Sequence, residues 1–379
     1  MRLLINTISL LGEESGIGTY TRQIASGCQT DNIELTLFYG YPSKKLIRPA
    51  DGQYGSWLGS LKGLAKKISF GRKICIKVLH GVNVLANALF PQSWDCYFEP
   101  NFVLLPTLHA ERKVITAHDF SCFRYPQWHP VERVRYMEKF FWRSVAQADH
   151  VITPSETIRQ EGINMFGIDP GRITAIPNGV DHSHFYPRSV SVQQELRKRY
   201  GLPPQFILYV GALEPRKNLA NLIHAHAALP EALRRAYPLL LIGSQGWNNE
   251  EIMRLIRLNA SYTRLLGYVP RSDLPAFYSA ASLFAYPSWY EGFGLPALEA
   301  MACGRAVLTS QASALVEFSA GAALHARADD INDMALKMRE LLENTQLRNQ
   351  LEQKAPELAA RYSWTRSAQK HLDVFKSLA

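Results

Sequence analysis

Two glutamates separated by seven residues, Glu291 and Glu299, mark the segment whose residue types and spacing most clearly indicate chemistry. The sequence that joins them, EGFGLPALE, predicts a tight glycine turn running directly into a helix. A carboxylate accepts hydrogen bonds well from two vicinal hydroxyl groups, such as those of a ribose or a hexose. The pair therefore indicates a sugar or nucleoside site, and the structural alternative is a capped helix with a solvated glutamate.

The glycine turn between these glutamates also predicts an anion site. Gly292 and Gly294 let the backbone approach a ligand closely, and the proline at 296 suits the first turn of a helix. Backbone N–H groups and the positive end of a helix dipole attract phosphate at such a position. The N–H groups expected to do so belong to Phe293, Gly294 and Leu295.

Adjacent Arg216 and Lys217 closely follow the apolar run FILYVG, which ends at Gly211. A guanidinium fork beside a mobile ammonium can neutralise a diphosphate and help it to leave. By itself such a pair could also be an exposed helix start. Its position after a strand, in the same half of the chain as Glu291, favours a binding site.

A second glycine-rich stretch, GEESGIGTY at 12–20, lies between an apolar run and a helical pattern. A nicotinamide dinucleotide fingerprint needs G-x-G-x-x-G packed tightly between strand and helix, but Thr21 stands where its third glycine should be. Roughly ten residues also separate the strand from Gly16, too many for that tight turn. The stretch therefore predicts another kind of phosphate site around Gly16 and Gly18, or an ordinary loop.

Alternating strands and helices must position these residues. Runs that are apolar throughout, rather than alternating, are typical of strands covered on both faces. They recur at 2–6, 34–39, 95–98, 113–117, 150–153, 173–176, 206–211, 239–243, 264–269, 283–286, 306–309 and 322–325. The six runs up to 173–176 form one series and the six runs from 206–211 onward form another. With helical patterns between the runs, these two series imply two open parallel α/β sheets.

The turn-rich stretch IPNGVDHSHFYPR separates the two series. We therefore expect an N-terminal domain at 1–187, a C-terminal domain at 188–358 and a helix at 359–379 that returns to the N-terminal domain. Since ligands bind at the carboxyl ends of parallel strands, we expect the site in a cleft between the domains.

The composition is typical of a folded, globular protein. The 379 residues are 47 % apolar and 20 % charged, enough to bury two cores. None of the five cysteines forms a C-x-x-C pair and no D-x-D occurs, so we expect neither disulfides nor a metal. Without a signal-peptide pattern or an apolar run long enough to span a membrane, we expect a cytoplasmic protein.

A basic segment at 44–77 carries nearly all of the net charge of +9, with nine basic residues and one acid. Within it, WLGSLKGLAKKIS has a helical apolar stripe that includes Trp57, with Lys62, Lys66 and Lys67 elsewhere on the helix. This favours docking on the anionic inner face of the cytoplasmic membrane, and the alternative is a helix packed on its own sheet. No nucleic-acid-binding signature is present.

Several of these motifs together resemble a known family. The segment EGFGLPALEAMACG at 291–304 is similar to the glutamate motif of the retaining, family 4 glycosyltransferases, and GALEPRKNL at 211–219 is similar to their diphosphate-binding segment. LLGYVPRSDL at 265–274 resembles their nucleobase-side stretch and IPNGVDHSHFYP their hinge. VITAHDF at 114–120 resembles a mannosyltransferase-like strand end.

The resemblance implies the GT-B fold, with two Rossmann-like domains facing across a cleft, and hexosyl transfer from a nucleotide diphosphate sugar. His118 would contact the donor sugar and act with Glu291, Arg216 and Lys217 in catalysis. The other donor contacts it implies are Gly16, Gly18, Gly211, Tyr268, Val269, Gly292, Phe293, Gly294, Leu295 and Glu299.

The reaction expected from this resemblance retains the anomeric configuration through front-side attack without a metal. The leaving phosphate accepts the proton of the acceptor while Arg216 and Lys217 stabilise its charge. The sequence shows no nucleophilic carboxylate near His118 for a double displacement.

The expected donor is GDP-mannose and the expected acceptor a lipid-linked glycan of O-antigen or exopolysaccharide assembly. GDP-rhamnose and UDP-hexoses are alternative donors. A glucan phosphorylase of the same fold is less favoured because neither a pyridoxal lysine nor a longer chain is evident. An epimerase is less favoured because it would need a second acid/base pair and no acceptor surface, which the basic segment at 44–77 argues against. A binding protein without activity is less favoured because His118, the Arg216–Lys217 pair and the two glutamates form an intact set.

Overall fold

The computed structural model describes residues 1–11, 15–46, 94–311 and 314–379. They form two compact units within the ranges that the structure describes. The first unit comprises Met1–Ala117, Phe140–Ile152 and Ser367–Ala379, and the second comprises His118–Lys139 and Thr153–Arg366. The domain boundaries expected at 187 and 358 stay a prediction. The membrane contacts expected of Trp57, Lys62, Lys66 and Lys67 lie outside the described residues.

Six strands of the first unit lie in the sheet order β3-β2-β1-β4-β5-β6. Neighbouring strands are parallel except β2 and β3, which pair as an antiparallel edge that the apolar pattern did not predict. Buried apolar residues fill the central strands, as expected for a sheet covered on both faces. The six strands are β1 (Arg2–Asn6), β2 (Glu34–Phe38), β3 (Pro42–Ser43), β4 (Trp94–Glu99), β5 (Ala110–Thr116) and β6 (His150–Thr153).

The second unit contains a six-stranded sheet in which every neighbouring pair is parallel, with the order β10-β9-β8-β11-β12-β13. Its strands coincide with the apolar runs predicted from the sequence, so the predicted α/β class with parallel sheets is confirmed. The strands of this sheet are β8 (Ile207–Val210), β9 (Leu239–Ile242), β10 (Thr263–Gly267), β11 (Leu283–Tyr286), β12 (Val307–Ser310) and β13 (Leu324–Ala326). A further strand of this unit, β7 (Ile173–Ala175), is not part of this sheet.

Helices connect the strands in both units, and their apolar faces cover the sheets. They are α1 (Gly16–Gly27), α2 (Ser121–Arg124), α3 (Val131–Gln147), α4 (Glu156–Asn164), α5 (Val190–Tyr200), α6 (Leu219–Ala227), α7 (Glu231–Ala236), α8 (Glu250–Leu258), α9 (Leu274–Ala280), α10 (Leu295–Ala302), α11 (Ala314–Ser319), α12 (Ile331–Glu343), α13 (Thr345–Ala359) and α14 (Trp364–Leu378). None of the helices within the described ranges is long and apolar enough to cross a membrane.

Most of α14 belongs to the first unit, although it is the last element of the chain. Its residues Leu372 and Phe375 are buried, as is His371. The Nε2 atom of His371 lies 2.6 Å from the hydroxyl oxygen of Tyr20 on α1, and that oxygen lies 2.8 Å from the hydroxyl oxygen of Thr116 at the end of β5. A buried polar network therefore joins α14, the last helix of the chain, to α1 and to the end of β5.

Candidate active site

Arg216 and Lys217 lie in a 3₁₀ turn, Pro215–Lys217, that follows β8 in the second unit. The next residue, Asn218, donates its side-chain N–H groups to the carbonyl oxygens of Pro287 at 3.0 Å and Ala328 at 2.7 Å. These two bonds fix the turn against the carboxyl ends of the sheet strands. The two cations are therefore held at the sheet edge where parallel α/β folds bind ligands.

Glu291 joins the two cations. Nζ of Lys217 lies 2.6 Å from one carboxylate oxygen of Glu291, and Nη1 of Arg216 lies 3.0 Å from the other. Arg216 also donates to the carbonyl oxygen of Tyr290 at 2.8 Å and to the carboxylate of Glu214 at 3.0 Å. The structure thus brings Glu291 together with Lys217 and Arg216, two other candidate catalytic residues that precede it by 74 and 75 positions in the chain.

Glu291 and Arg216 each hold the other in its charged form. Burial raises the pKa of Glu291, but the neighbouring charges of Arg216 and Lys217 outweigh it and hold that pKa at about 2. Burial lowers the pKa of Arg216, yet Glu291 and Asp119 hold it well above its ordinary value. Both groups are therefore ionised at neutral pH, and the cations are preorganised for an anionic ligand.

The turn that carries Glu291 packs on the backbone of His118. A Cβ atom on Gly292 would come within 1.8 Å of the carbonyl oxygen of His118, so only glycine fits this approach. The carbonyl oxygen of Gly292 accepts from the hydroxyl of Ser155 at 2.8 Å, and the hydroxyl of Tyr290 accepts from the N–H of Phe120 at 3.2 Å. The half-buried His118 is therefore fixed beside the glutamate turn.

Asp119 lies next to His118 and faces Arg216. Its carboxylate accepts from the N–H and hydroxyl of Ser121 at 2.8 and 2.6 Å and lies 4.0 Å from Nη1 of Arg216. Burial raises the pKa of Asp119, but Arg216 and Ser121 bring it below its ordinary value. Arg216 therefore has three carboxylates around it, those of Asp119, Glu214 and Glu291.

The helix that follows the turn begins as the sequence predicts. Gly294 has a left-handed φ of 113° and precedes α10, whose second residue is a proline. A Cβ atom at Gly294 would lie 2.4 Å from Leu315, so both conformation and space require glycine. Phe293 is buried and Leu295 is the first helical residue.

Glu299 lies on α10, where its side chain is buried. One carboxylate oxygen accepts from Arg271 at 3.1 Å and the other from the hydroxyl of Tyr278 at 3.1 Å. The second glutamate of the pair is therefore held by its own cation, as Glu291 is held by Arg216 and Lys217. Its expected contact with the donor stays a prediction.

The remaining candidate residues of the second unit also lie at strand ends. Gly211 directly follows β8, and its N–H donates to the carbonyl oxygen of Ile242 at 2.9 Å. Tyr268 and Val269 follow β10; Tyr268 is 71 % exposed, whereas Val269 is 4 % exposed. These placements agree with the strand-end rule for ligand sites, but they do not test the predicted nucleobase contact.

Gly16 and Gly18 lie in the first turn of α1, which belongs to the first unit. The N-cap of this helix is Ser15, whose hydroxyl accepts from the N–H of Gly18 at 3.1 Å. Residues 12–14 of the glycine-rich stretch are outside the described residues. The structure therefore gives a capped helix start for both glycines, and their donor-facing role stays a prediction.

Sequence reasoning missed several residues that support the site. The hydroxyl of Tyr290 donates to Glu161 at 2.5 Å, and Arg124 pairs with the same carboxylate. The hydroxyl of Tyr286 accepts from Lys217 at 2.9 Å. The aromatic residue before Glu291 was the available signal for Tyr290, whereas Glu161 carries no local motif.

The described part of the chain contains no group of three His, Cys, Asp or Glu side chains that could hold a metal ion. The four cysteines within it are free and buried. Metal independence remains a prediction about the reaction.

Solved structures identify the class of fold. Sucrose-phosphate synthase from Thermosynechococcus elongatus matches over 100 % of this chain and 98 % of its own, with a TM-score of 0.73 at 21 % identity. Anabaena HepE in complex with UDP-glucose matches over the whole of both chains, with a TM-score of 0.71 at 19 % identity. WaaG, a glycosyltransferase involved in lipopolysaccharide biosynthesis, gives 0.68 at 16 % identity over 99 % of each chain. The chain has the GT-B fold of glycosyltransferases.

Sequence comparisons identify the family. The model described as Glycosyltransferase Family 4 matches residues 15–184, and that described as Glycosyl transferases group 1 matches residues 192–358. The O-antigen chain mannosyltransferase B of Escherichia coli is 37 % identical over 285 residues, 74 % of each chain. The serotype-specific mannosyltransferase WbdA of Escherichia coli is 33 % identical over 256 residues, 66 % of this chain and 31 % of WbdA. The chain belongs to glycosyltransferase family 4 and is a glycosyltransferase.

Proposed function

We propose that this enzyme transfers mannose from GDP-mannose to a lipid-linked glycan in O-antigen synthesis, with retention of configuration. The observation that carries the proposal is the buried cluster of Arg216, Lys217 and Glu291, in a chain similar to mannosyltransferases of O-antigen assembly. The two cations can neutralise a diphosphate, and the carboxylate can accept from hydroxyl groups of the donor.

Departure of the nucleotide is the step that these residues best support. As the glycosidic bond to phosphate breaks, negative charge grows on the leaving oxygen, and cations held in a buried site stabilise that charge strongly. Arg216 and Lys217 are preorganised for this role by Glu291, Glu214 and Asp119. The diphosphate can therefore leave without a metal, and transfer should continue in excess EDTA.

Retention is proposed to follow from front-side attack. The acceptor hydroxyl attacks the anomeric carbon on the face that the phosphate leaves, and the leaving phosphate takes its proton. The carboxylates of Asp119 and Glu291 are committed to Arg216, Lys217 and Ser121, which argues against either acting as a nucleophile. Mass spectrometry of enzyme quenched during turnover should show no glycosyl adduct; an adduct on either residue would establish double displacement instead.

The acceptor is proposed to be presented at the cytoplasmic face of the membrane. The support is the basic composition of 44–77, which would attract anionic lipid. The enzyme should co-sediment with vesicles containing phosphatidylglycerol and not with purely zwitterionic vesicles. Equal sedimentation with both, or with neither, would remove the membrane part of the proposal.

A donor panel tests the proposed function directly. Purified enzyme is incubated with a lipid-linked acceptor and GDP-mannose, GDP-rhamnose or UDP-glucose in turn, and proton NMR of the product gives the sugar and its anomeric configuration. We expect transfer from GDP-mannose with an α-linkage. Transfer from a UDP-hexose alone would contradict the donor, and a β-linkage would contradict retention.

A further inference from the structure

A surface cavity of about 260 Å³ lies in the second unit, at the amino ends of its sheet strands. Its lining includes Gln205, Ser282 and Arg305, which come one or two residues before β8, β11 and β12. Arg216 and Glu291 instead follow β8 and β11. Because these three strands are parallel neighbours, the cavity and the candidate active site lie at opposite edges of the sheet. The cavity is therefore a separate candidate site.

Three arginines and one carboxylate line this cavity, which we call the arginine pocket. Arg197 lies on α5, Arg305 precedes β12 and Arg348 lies on α13, so three separate segments of the chain supply the cations. The acidic side chain of the lining is Glu352, which pairs with Arg305 at 2.8 Å. Three positive charges against one negative charge leave a formal excess of two, which favours an anionic ligand.

Backbone carbonyl groups hold the three arginines in place. The accepting oxygens belong to Ala280 for Arg197 at 3.1 Å, to Ser279 for Arg305 at 2.9 Å, and to Leu341 and Leu342 for Arg348 at 3.0 Å. A bond to a carbonyl oxygen fixes a guanidinium group without neutralising its charge. Since a guanidinium carries five N–H donors, these contacts leave each arginine further donors for an anion.

The positive charges of the pocket act against one another at Arg305. Burial lowers the pKa of Arg305, Glu352 raises it, and the charges of Arg348 and Arg197 lower it again, so the pKa lies below its ordinary value. All three arginines are half-buried, so a ligand can reach them from solvent. An anion in the pocket would relieve their mutual repulsion.

We propose that the arginine pocket binds a phosphate group, carried either by a soluble phosphate ester or by a lipid headgroup. Planar guanidinium groups bond phosphate oxygens in pairs, and arginines that are already oriented lose little freedom when they do so. The cavity has room for a phosphate group and part of the molecule that carries it. The site is separate from the one at which sugar transfer is proposed, so binding alone tests it.

Isothermal titration calorimetry with inorganic phosphate, at constant ionic strength, measures this binding. Phosphate also fits Arg216 and Lys217, so the titrations are run in wild type and repeated in Lys217→Met. A phosphate site should persist in Lys217→Met. No phosphate binding in that variant, when it is folded, would show that the donor cations are the site.

Matched variants of α13 assign the remaining binding to the pocket. Arg348→Gln removes one cation, and we expect the Kd for phosphate to rise at least about tenfold. Asn349→Asp places a carboxylate in the lining without removing any arginine, and should raise the Kd about fivefold while the melting temperature stays at or above that of wild type. Gln350→Glu adds the same charge at an exposed position of α13 outside the lining, and should bind phosphate as wild type does.

Two results would overturn the inference. Weaker binding in Arg348→Gln with an unchanged Kd in Asn349→Asp would show that the first substitution distorts the structure and that the pocket charge binds nothing. An equal loss of affinity in Asn349→Asp and Gln350→Glu would assign the effect to the overall charge of the unit.

Vesicles identify the source of the phosphate group. Phosphatidic acid presents a phosphate monoester, so vesicles of phosphatidylcholine with and without it are sedimented with Asn349→Asp and with Gln350→Glu. Weaker sedimentation of Asn349→Asp with the phosphatidic acid vesicles would identify a lipid headgroup. Equal sedimentation of the two variants, together with the expected calorimetry, would identify a soluble phosphate ester.

Discussion

At the scale of single residues, Glu291 is the link between the two cations expected to hold the diphosphate. It is buried together with Lys217, and each of its oxygens bonds to a different cation. Breaking such a buried ion pair on one side leaves an uncompensated charge, which is more costly than replacing the whole group. Single substitutions here should therefore affect ligand binding and stability together, and controls must separate the two effects.

Lys217→Met should weaken GDP binding at least about tenfold, because a charge-assisted bond to phosphate is worth about 1.5–3 kcal/mol. Isothermal titration calorimetry gives the affinity, and the melting temperature reports whether the variant is folded. Lys198→Met, on the exposed face of α5, is the matched control and should bind GDP normally. Wild-type affinity in Lys217→Met would remove this residue from the site.

Glu99 provides a pH-dependent test in the first unit. Burial raises its pKa to about 8, although Tyr97 and Asn6 donate hydrogen bonds to it. Since the folded pKa lies above the unfolded one, the proton bound by the folded state stabilises the protein fully at low pH. That stabilisation decreases as the pH rises from about 4.5 to about 8, by at most about 1.4 kcal/mol per pH unit.

Glu99→Gln removes this titration while keeping the shape of the side chain. We expect the melting temperature of the variant, relative to wild type, to rise between pH 5 and pH 8 in scanning fluorimetry. A constant difference over that range would show that Glu99 does not titrate there. A falling difference would mean that the carboxylate, rather than the neutral acid, is the favoured folded form.

At the scale of elements, the turn between β11 and α10 determines where Glu291 lies. Gly292→Ala would place a methyl group on the carbonyl oxygen of His118, so the turn or that backbone must shift. A misplacement of about 1 Å can reduce turnover on the order of 100-fold. We expect that loss in initial transfer rates, with a circular dichroism spectrum like that of wild type.

A glycine elsewhere in the same unit supplies the control for that variant. At Gly171, the nearest atom to an added Cβ is a side-chain oxygen 3.4 Å away, so Gly171→Ala should keep the wild-type rate. Full activity in Gly292→Ala would show that the close approach to His118 does not matter for transfer.

The elements were more predictable from sequence than the contacts within the site. Continuous apolar runs located the strands of both units because buried parallel strands require them. The rule that ligands lie at strand ends grouped Arg216 with Glu291. The contacts of Tyr290 with Glu161 and of Arg216 with Asp119 join residues more than 90 positions apart, which no local pattern encodes. The edge strand β3 was missed because two residues carry no periodicity.

At the scale of the whole molecule, the last thirteen residues described belong to the first unit rather than to the second. Ser367–Ala379 belongs to that unit, whereas the candidate cation cluster belongs to the second. Phe375 is fully buried there, and its ring lies 5.0 Å from that of Phe98 on β4. Stability of the first unit and nucleotide binding in the second should therefore be separable.

Phe375→Ala should destabilise the first unit by about 3–5 kcal/mol, as loss of a buried aromatic ring does. Thermal unfolding should show a lowered transition, while the Kd for GDP below that transition stays unchanged. Leu336→Ala, at an exposed position, is the control and should leave both quantities unchanged. An unchanged melting temperature in Phe375→Ala would contradict the role given to the terminal helix.

The most direct test of the central claim is the rate of mannosyl transfer from GDP-mannose to a lipid-linked acceptor by wild type and by Glu291→Gln. The charge pairing at this residue predicts that wild type transfers mannose and that the folded variant loses about 100-fold or more in rate. Wild-type rates in Glu291→Gln, or transfer by wild type only from a UDP-sugar, would contradict the account.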